Sequence, residues 1–285
     1  MSEDLPLVSV IMNAYNAEEY LNESISSVLD QTYHNWEIIL WDNKSTDRTA
    51  EIINSFDDSR IRYYLASNFT PLGEARNLAI SKAQGSLIAF LDCDDLWFPD
   101  KLFLQVPLFE DLEIGIVICD SIFFNSKGDN FQIYKKNKPP TGFVFKKLFS
   151  EYFISLETAI VRKSAFKDLD HIFDKSFQMV EEYDLFVRIS LDWKLDYVDK
   201  VLAKWRVHEK SWTWSRDEIF PKERKLMLEK YIKQIPSFEE DYPDEIRLFK
   251  RTYTFEEALI DWREKKNYSA RGMLKDYIFD GYRSY

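Results

Sequence analysis

The stretch Phe90-Leu91-Asp92-Cys93-Asp94-Asp95 decides how the rest of the chain is interpreted. The apolar run from Ser86 to Leu91 has the length of a buried strand, and it stops at three carboxylates within four positions. Burying three unpaired negative charges costs more free energy than one strand gains, so we expect these acids at the exposed end of the strand. Because Mg²⁺ and Mn²⁺ bind oxygen ligands, often carboxylates together with substrate phosphates, the pattern predicts a site for a divalent cation. Taken alone, an Asp-rich tripeptide is more often part of a solvated turn than of a metal site.

Composition restricts the class of protein. The chain has 285 residues, 45% of them hydrophobic, which is enough for a large core, and its seven glycines and 16% aromatic content argue against disorder. Its net charge of −11 repels a nucleic-acid backbone, so no nucleic-acid partner is expected.

The termini and cysteines bear on localisation. Cys93 and Cys119 are the two cysteines, and no secretory signal precedes Pro6. The sequence also contains no run of about 18 apolar residues. We therefore expect a cytoplasmic protein, with peripheral contact to the inner face of the cell membrane left open.

Strands and helices alternate in the first third of the chain. Apolar runs predict four strands, separated by amphipathic helices of about ten residues. The predicted strands are Leu7–Met12, Trp36–Trp41, Ile61–Leu65 and Ser86–Leu91. Such alternation is typical of right-handed crossovers and a mostly parallel sheet with helices on both faces. Ligands of open α/β sheets bind beyond the carboxyl ends of the strands, where Asn13, Asp42 and Asp92 fall.

The pattern loosens after Pro99. We expect a long strand over Ile114–Phe124, a helix from Ser164, and a mobile polar loop over Asn125–Thr141. A helix begins near Glu181, and its acidic first turn suits the positive end of the helix dipole. The simplest division is a catalytic domain over 1–215, with halves 1–98 and 99–215, followed by a helical C-terminal extension over 216–285.

Several enzyme classes lack their signatures in this sequence. It contains no Gly-x-Gly-x-x-Gly after the first strand, no P-loop, no Gly-x-Ser-x-Gly and no cysteine and histidine set with zinc spacing. What remains is an acidic site suited to a metal-bound ligand that carries phosphate.

A set of short motifs occurs in a fixed order. The motifs are Val8–Asn16, Asp42–Asp47, Gly73–Asn77, Leu91–Asp95, Glu181–Leu185 and Trp205–Ser211. In this order they resemble the family 2 glycosyltransferases. The resemblance covers residues 7 to about 211 and implies the GT-A fold, an α/β fold with a Rossmann-like, mostly parallel central sheet.

The resemblance implies a nucleotide-sugar site. Asn13, Tyr15 and Asp42 would contact the nucleoside, with Asp42 accepting from the imide of uracil or thymine. Arg76 would reach the diphosphate, matching its charge with a planar fork of donors. Asp92 would lie by the ribose and the metal. A turn, a cap or a solvated ion pair is the alternative role for each of these residues.

A second group of residues is implied for metal binding and support. Asp94 would ligate Mn²⁺ or Mg²⁺ between the two phosphates, with Asp92 and His208 as further metal ligands. Arg206 would close over the diphosphate, and Asp95 would support the loop. Trp212 and Trp214 are candidates for stacking on an acceptor sugar or for packing the helical extension.

The catalytic base is assigned by position. Inverting displacement requires a carboxylate that takes the proton of the acceptor hydroxyl, and Glu182 occupies that position. The family usually has Glu-Asp where this chain has Glu181-Glu182, one methylene longer. Glu181 is therefore the second candidate and Asp184 the third, and decoration of a helix N-terminus is the alternative for all of them.

Lys44 is a second departure, because a glycine is common at its position in the family. A left-handed backbone would be strained at a lysine, so we expect the Asp42–Asp47 loop to take another shape.

The implied function is inverting transfer of a sugar from a UDP-sugar, or a dTDP-sugar, to a hydroxyl of a glycan or lipid-linked glycan in bacterial surface-polysaccharide assembly. A nucleotidyltransferase and a non-catalytic module that binds sugar nucleotides or glycans are the alternatives. Oligomeric state is not predicted.

Overall fold

The computed structural model describes residues 5–209, 211, 216–266 and 269–274. They form two compact units. The sheet unit comprises the described residues of 1–144, 153–176 and 181–208, and the helical unit comprises 145–152, 177–180 and the described residues from 209 onward. The expected division at residue 215 stays a prediction, and Trp212 and Trp214 lie outside the described residues.

Nine strands and nine α-helices are numbered here in chain order over the described residues. The strands are β1 (Val8–Ala14), β2 (Trp36–Asp42), β3 (Ile61–Leu65), β4 (Leu87–Phe90), β5 (Leu96–Trp97), β6 (Ile114–Asn125), β7 (Gly128–Gln132), β8 (Ile160–Arg162) and β9 (Lys194–Arg206). The helices are α1 (Leu21–Leu29), α2 (Thr49–Asn54), α3 (Leu72–Ile80), α4 (Lys101–Gln105), α5 (Phe145–Ser150), α6 (Glu181–Ile189), α7 (Phe220–Gln234), α8 (Phe238–Asp241) and α9 (Pro243–Arg263).

The first half of the sheet is parallel. Strands β3, β2, β1 and β4 lie side by side in that order, and each neighbouring pair is parallel. All seven residues of β2 are buried, as expected where helices cover both faces of a parallel sheet. The carboxyl ends of β1, β2 and β4 therefore meet at one edge, which brings Asn13, Asp42 and Asp92 to the same side of the sheet unit.

The second half makes the sheet mixed. Strand β8 runs antiparallel to both β4 and β6, whereas β9 runs parallel to β6 and antiparallel to the short β5. The expected α/β fold is confirmed, with parallel pairing concentrated in its first half. Two of the added strands are not signalled by a long apolar run, since β5 has two residues and β7 is almost fully exposed.

Two local predictions were wrong. The segment 125–141 was expected to be a loop, but it contains β7, which pairs antiparallel with β6. The helix expected from Ser164 is a single 3₁₀ turn over Lys163–Phe166. The first error arose because backbone pairing with another strand is not visible in local sequence.

The helical unit has an aromatic core of its own. The rings of Phe149 and Phe249 stack with centroids 4.7 Å apart, and Phe238 packs edge-on against Phe149 at 5.2 Å. These residues come from α5, α9 and α8, so the expected helical character of the C-terminal region is confirmed. Among the described residues, no helix is both long enough and apolar enough to span a bilayer.

Candidate active site

Arg76 on α3 gathers the acidic residues of the sheet unit. Its side chain is 4% exposed, and its Nη1 donates to Glu181 Oε1 at 2.7 Å. Its Nη2 donates to Asp92 Oδ1 at 3.3 Å, and Glu182 Oε2 lies 3.9 Å from Nη1. The acidic motif at residues 92–95, where the cation is expected, is called the metal motif. One guanidinium therefore joins this motif to the acidic first turn of α6.

Charge and burial shift the pKa values of Arg76 and the acids around it. Burial raises the pKa of Glu182 to about 8, with Arg76 opposing the shift and the charges of Glu181 and Asp92 adding to it. Burial also raises the pKa of Asp92, against the opposing effect of Arg76. Burial alone would lower the pKa of Arg76, but the surrounding carboxylates raise it. A carboxylate whose pKa lies near neutral pH is well matched to general-base chemistry.

Asp94 and His208 form the accessible part of the site. His208 Nε2 lies 2.8 Å from Asp94 Oδ2, and the side chains are 18% and 32% exposed, respectively. The side chain of Asp92 is 41% exposed. Carboxylate oxygens suit both Mn²⁺ and Mg²⁺, so the carboxylates of Asp92 and Asp94 fit the cation expected from the sequence.

Arg206 forms hydrogen bonds with Asp94 and Asp95 of the metal motif. Arg206 donates through Nε to the Asp94 carbonyl oxygen at 2.7 Å, and its backbone N–H donates to Asp95 Oδ1 at 2.7 Å. The Arg206 guanidinium lies between the rings of Tyr20 and Phe124, at 4.3 and 4.5 Å. Burial raises the pKa of Asp95 well above its ordinary value. In this arrangement both residues support the loop.

Asp42 is enclosed at the end of β2. It is 1% exposed, its Oδ1 accepts from the Ser45 N–H at 2.8 Å, and its Oδ2 accepts from the Tyr63 hydroxyl at 2.9 Å. Its role as an acceptor for a nucleobase stays a prediction, alongside the turn bond to Ser45.

The remaining nucleoside candidates lie at the carboxyl end of β1. Asn13 is the penultimate residue of β1, and its Nδ2 is buried with no hydrogen-bond partner among the described residues. Tyr15 is half-exposed, and its ring packs edge-on against Phe69 at 5.0 Å. A buried amide donor that lacks a partner costs free energy, which a ligand oxygen would recover.

The loop after β2 has a left-handed backbone at Lys44, although the sequence predicted another shape there. Lys44 has φ +73°, and Asn16, which faces the loop, has φ +49°. The expectation that Lys44 imposes another shape was wrong, because neighbouring bonds hold the backbone. Asn16 Oδ1 accepts from the Thr46 N–H at 2.8 Å, and Ser45 Oγ accepts from the Asn16 N–H at 2.9 Å.

Asp184 is engaged by a different partner from the other two candidate bases. It is fully buried, and Arg188 Nη2 lies 2.7 Å from its Oδ2. Asp184, His171 and Asp174 offer ligand atoms within 4.8 Å of one another. Since the Arg188 charge already neutralises Asp184, the cluster is better explained as an ion-pair network that fastens the loop before α6: Arg188 also donates to the carbonyl oxygens of His171 and Ile172, at 2.8 and 2.5 Å.

Sequence reasoning missed several residues of the site. Tyr63 bonds Asp42, Tyr20 packs against both Arg206 and His208, and Phe173 packs against Arg76. Asn77, which fastens Phe173, lies beside Arg76 in a motif that the sequence did single out. The three aromatic residues carry no local signal, because their partners are 21 to 188 positions away.

Solved structures confirm the fold that this geometry defines. The model superposes on the Staphylococcus aureus TarS 1–349 complex with UDP-GlcNAc with a TM-score of 0.69 at 18% identity, covering 96% of this chain and 92% of that one. The mannosyltransferase PcManGT from Pyrobaculum calidifontis, solved with GDP-Man and Mn²⁺, gives 0.65 at 16% identity over 97% and 81% of the two chains. The fold is GT-A, that of a class of glycosyltransferases.

Sequence comparison gives the family. The family model "Glycosyl transferase family 2" matches residues 9–170. The Escherichia coli protein WfgD, a UDP-Glc:alpha-D-GlcNAc-diphosphoundecaprenol beta-1,3-glucosyltransferase, is 33% identical over 207 residues, which are 72% of this chain and 79% of WfgD. The chain belongs to glycosyl transferase family 2.

Proposed function

We propose that this protein is a metal-dependent inverting glycosyltransferase. It transfers a sugar from a UDP-sugar to a hydroxyl of a glycan or lipid-linked glycan acceptor, in the assembly of a bacterial surface polysaccharide. The observation that carries the proposal is the guanidinium of Arg76, which joins Asp92 of the metal motif to the acidic pair Glu181-Glu182. The carboxylates expected to face the donor and those expected to face the acceptor thereby lie around the positive charge of Arg76.

The donor is expected to bind at the carboxyl edge of the parallel strands. Asp42 and Asn13 lie where the nucleoside would sit, and Asp92, Asp94 and His208 would hold Mn²⁺ or Mg²⁺ beside the diphosphate. The bound cation supplies positive charge that neutralises the leaving diphosphate. A UDP-sugar is favoured because the relative WfgD and the structural neighbour TarS are both named with UDP-sugars.

Glu182 acts on the acceptor. Its carboxylate accepts the proton of the acceptor hydroxyl as that oxygen bonds to the anomeric carbon and the bond from this carbon to the diphosphate breaks. Attack opposite the leaving group inverts the anomeric configuration. Arg76 holds Glu181 and the Asp92 side of the site at fixed positions, so the reacting groups need no rearrangement when charge develops.

The lipid-linked acceptor is proposed from the relatives. WfgD is named for an acceptor with a diphosphoundecaprenol carrier. An acceptor of this kind would bring the protein to a membrane surface, the peripheral contact that the sequence leaves open.

The decisive experiment measures nucleoside diphosphate release. Purified protein is supplied with UDP-glucose, UDP-N-acetylglucosamine, UDP-galactose, GDP-mannose and dTDP-glucose, with and without Mn²⁺, in the presence of synthetic GlcNAc-α-diphospholipid. We expect metal-dependent UDP release with one UDP-sugar, and its loss by roughly a hundredfold or more in Glu182→Gln, which keeps UDP binding.

Three other outcomes are informative. Pyrophosphate release from a nucleoside triphosphate would indicate a nucleotidyltransferase. UDP binding without turnover of any sugar, across a broad set of acceptors, would indicate a non-catalytic module. Normal turnover by Glu182→Gln would overturn the assignment of the base.

A further inference from the structure

Three aromatic side chains lie on one face of three adjacent strands. Phe123 on β6 stands directly opposite Phe131 on β7 and directly opposite Trp205 on β9. The ring centroids of Phe123 and Phe131 are 5.8 Å apart, and those of Phe123 and Trp205 are 4.4 Å apart. We call these three residues the aromatic row. Phe131 is 58% exposed, and the other two rings are partly buried.

Trp205, at one end of the row, is the sequence neighbour of a residue that bonds the metal motif, and the two side chains point to opposite faces of β9. Trp205 directly precedes Arg206, whose backbone N–H donates to Asp95 and whose guanidinium donates to the Asp94 carbonyl oxygen. The position of Trp205 along β9 is therefore set by the loop that carries the expected metal ligands.

The row also continues from the acceptor side of the candidate site. Ser121 lies two residues before Phe123 and so on the same face of β6, and its hydroxyl donates to Glu157 Oε1 at 2.7 Å. Glu157 lies just before β8, which pairs antiparallel with β4 through Ala89 and Ile160. Glu157 lies in the 3₁₀ turn Leu156–Thr158, which contacts β4, the strand that the acidic motif follows.

We infer that the aromatic row is a binding platform for sugar rings of the acceptor, a site that deepens the proposed glycosyl transfer and rests on it. A pyranose presents a face of C–H groups that is apolar, while its hydroxyls remain free to bond water or polar side chains. Aromatic rings offer a large apolar surface with few rotatable bonds, so packing against such a face costs little conformational entropy.

The size of the row indicates the kind of acceptor. Neighbouring strands lie about 4.8 Å apart, so three strands extend over roughly 10 Å, which is longer than a single pyranose ring. The platform thus fits an acceptor with at least two sugar units. The reacting hydroxyl, on the terminal sugar of the acceptor, would lie toward Glu182. The next sugar of the acceptor would lie over Phe123 and Phe131.

A binding experiment tests the row without knowledge of the natural acceptor. Saturation-transfer NMR is recorded on the full chain with UDP and Mg²⁺, using methyl glycosides of cellobiose, lactose, maltose and chitobiose as probes. We expect transfer to ring protons of at least one disaccharide, and a roughly fivefold weaker dissociation constant for it in Phe131→Ala. Phe131→Trp should retain binding. The matched control is Phe103→Ala, which removes an equally exposed phenylalanine (57%) from α4 and should change nothing.

Other outcomes overturn the inference. They are absence of binding by every disaccharide, equal binding by wild type and Phe131→Ala, and a parallel loss of UDP affinity in Phe131→Ala. Sedimentation with phosphatidylglycerol vesicles is run alongside. If Phe131→Ala abolishes vesicle binding and leaves disaccharide binding intact, the row is a membrane contact. If only the inference about the aromatic row is wrong, the wild type still turns over a nucleotide sugar. If the proposed function is wrong, the wild type shows no such turnover.

Discussion

The side chain of Asn77 forms two hydrogen bonds with the backbone of Phe173, 96 positions further along the chain. Asn77 Nδ2 donates to the Phe173 carbonyl oxygen at 2.8 Å, and the Phe173 N–H donates to Asn77 Oδ1 at 2.9 Å. The Phe173 ring lies 5.4 Å from the Arg76 guanidinium carbon and packs edge-on against Phe90 at 5.7 Å. Asn77 thus fixes a ring that touches both the strand before the metal motif and the arginine that joins the acids.

We predict that Asn77→Ala destabilises the protein by about 2 kcal/mol, because it leaves a buried N–H and a buried carbonyl of Phe173 without partners. Urea unfolding followed by tryptophan fluorescence measures the change. Asn77→Asp keeps the acceptor and loses the donor, so it should lie between wild type and Asn77→Ala. Asn130→Ala, at an exposed position of β7, is the control. A loss below about 0.5 kcal/mol in Asn77→Ala would contradict this account.

Removing the Asp94 carboxylate is expected to uncouple nucleotide binding from the metal. Asp94→Ala should weaken the Mn²⁺-dependent part of UDP affinity by roughly a hundredfold, and His208→Ala by roughly tenfold, since each removes one ligand of the proposed site. Isothermal titration of UDP with and without Mn²⁺ measures both. Asp168→Ala removes an exposed carboxylate elsewhere and serves as the control. If Asp94→Ala binds Mn²⁺-UDP like the wild type, the metal lies elsewhere.

Strands buried on both faces were the part of the fold most visible in the sequence. All seven residues of β2 are buried, and the apolar run Trp36–Trp41 predicted that strand to within one residue. In contrast, β7 is an exposed edge strand whose polar sequence resembles a loop, and only its pairing with β6 makes it a strand.

In the candidate site too, local sequence predicted single residues and motifs but not the long-range contacts between them. Local motifs identified Asp92, Arg76 and Glu181, and the order of the strands placed Asp92 at the ligand-binding edge. The ion pair between Arg76 and Glu181 joins residues 105 positions apart, so its length and burial depend on tertiary packing that no local pattern contains. The support given to Arg76 by Phe173 was missed for that reason.

The left-handed turn at Lys44 offers a stabilising substitution. Lys44 is exposed with φ +73°, a conformation that costs a residue with a β-carbon about 1 kcal/mol and costs glycine nothing. Glycine loses more backbone entropy on folding, so we expect Lys44→Gly to gain only about 0.5 kcal/mol in free energy of unfolding. Urea unfolding measures the change, and Lys127→Gly, at an exposed turn residue whose own φ is not positive, is the destabilising control. A net loss of stability in Lys44→Gly would mean that the lysine side chain contributes contacts of its own.

The raised pKa of Glu182 predicts how activity and stability depend on pH. A general base acts only when deprotonated, so kcat/KM for the donor should rise with pH and level off above about pH 8. Because burial raises the folded-state pKa above the ordinary value of 4.5, the stability contributed by the protonated group is complete below that pH and is lost as the pH rises through about 8. Glu182→Gln cannot ionise, so relative to wild type it should be more stable at about pH 9 than at about pH 6. Glu182→Asp, which restores the residue usual in the family, should keep an acid limb in its rate profile. An equal dependence of unfolding free energy on pH in wild type and Glu182→Gln would show that another group titrates in this range.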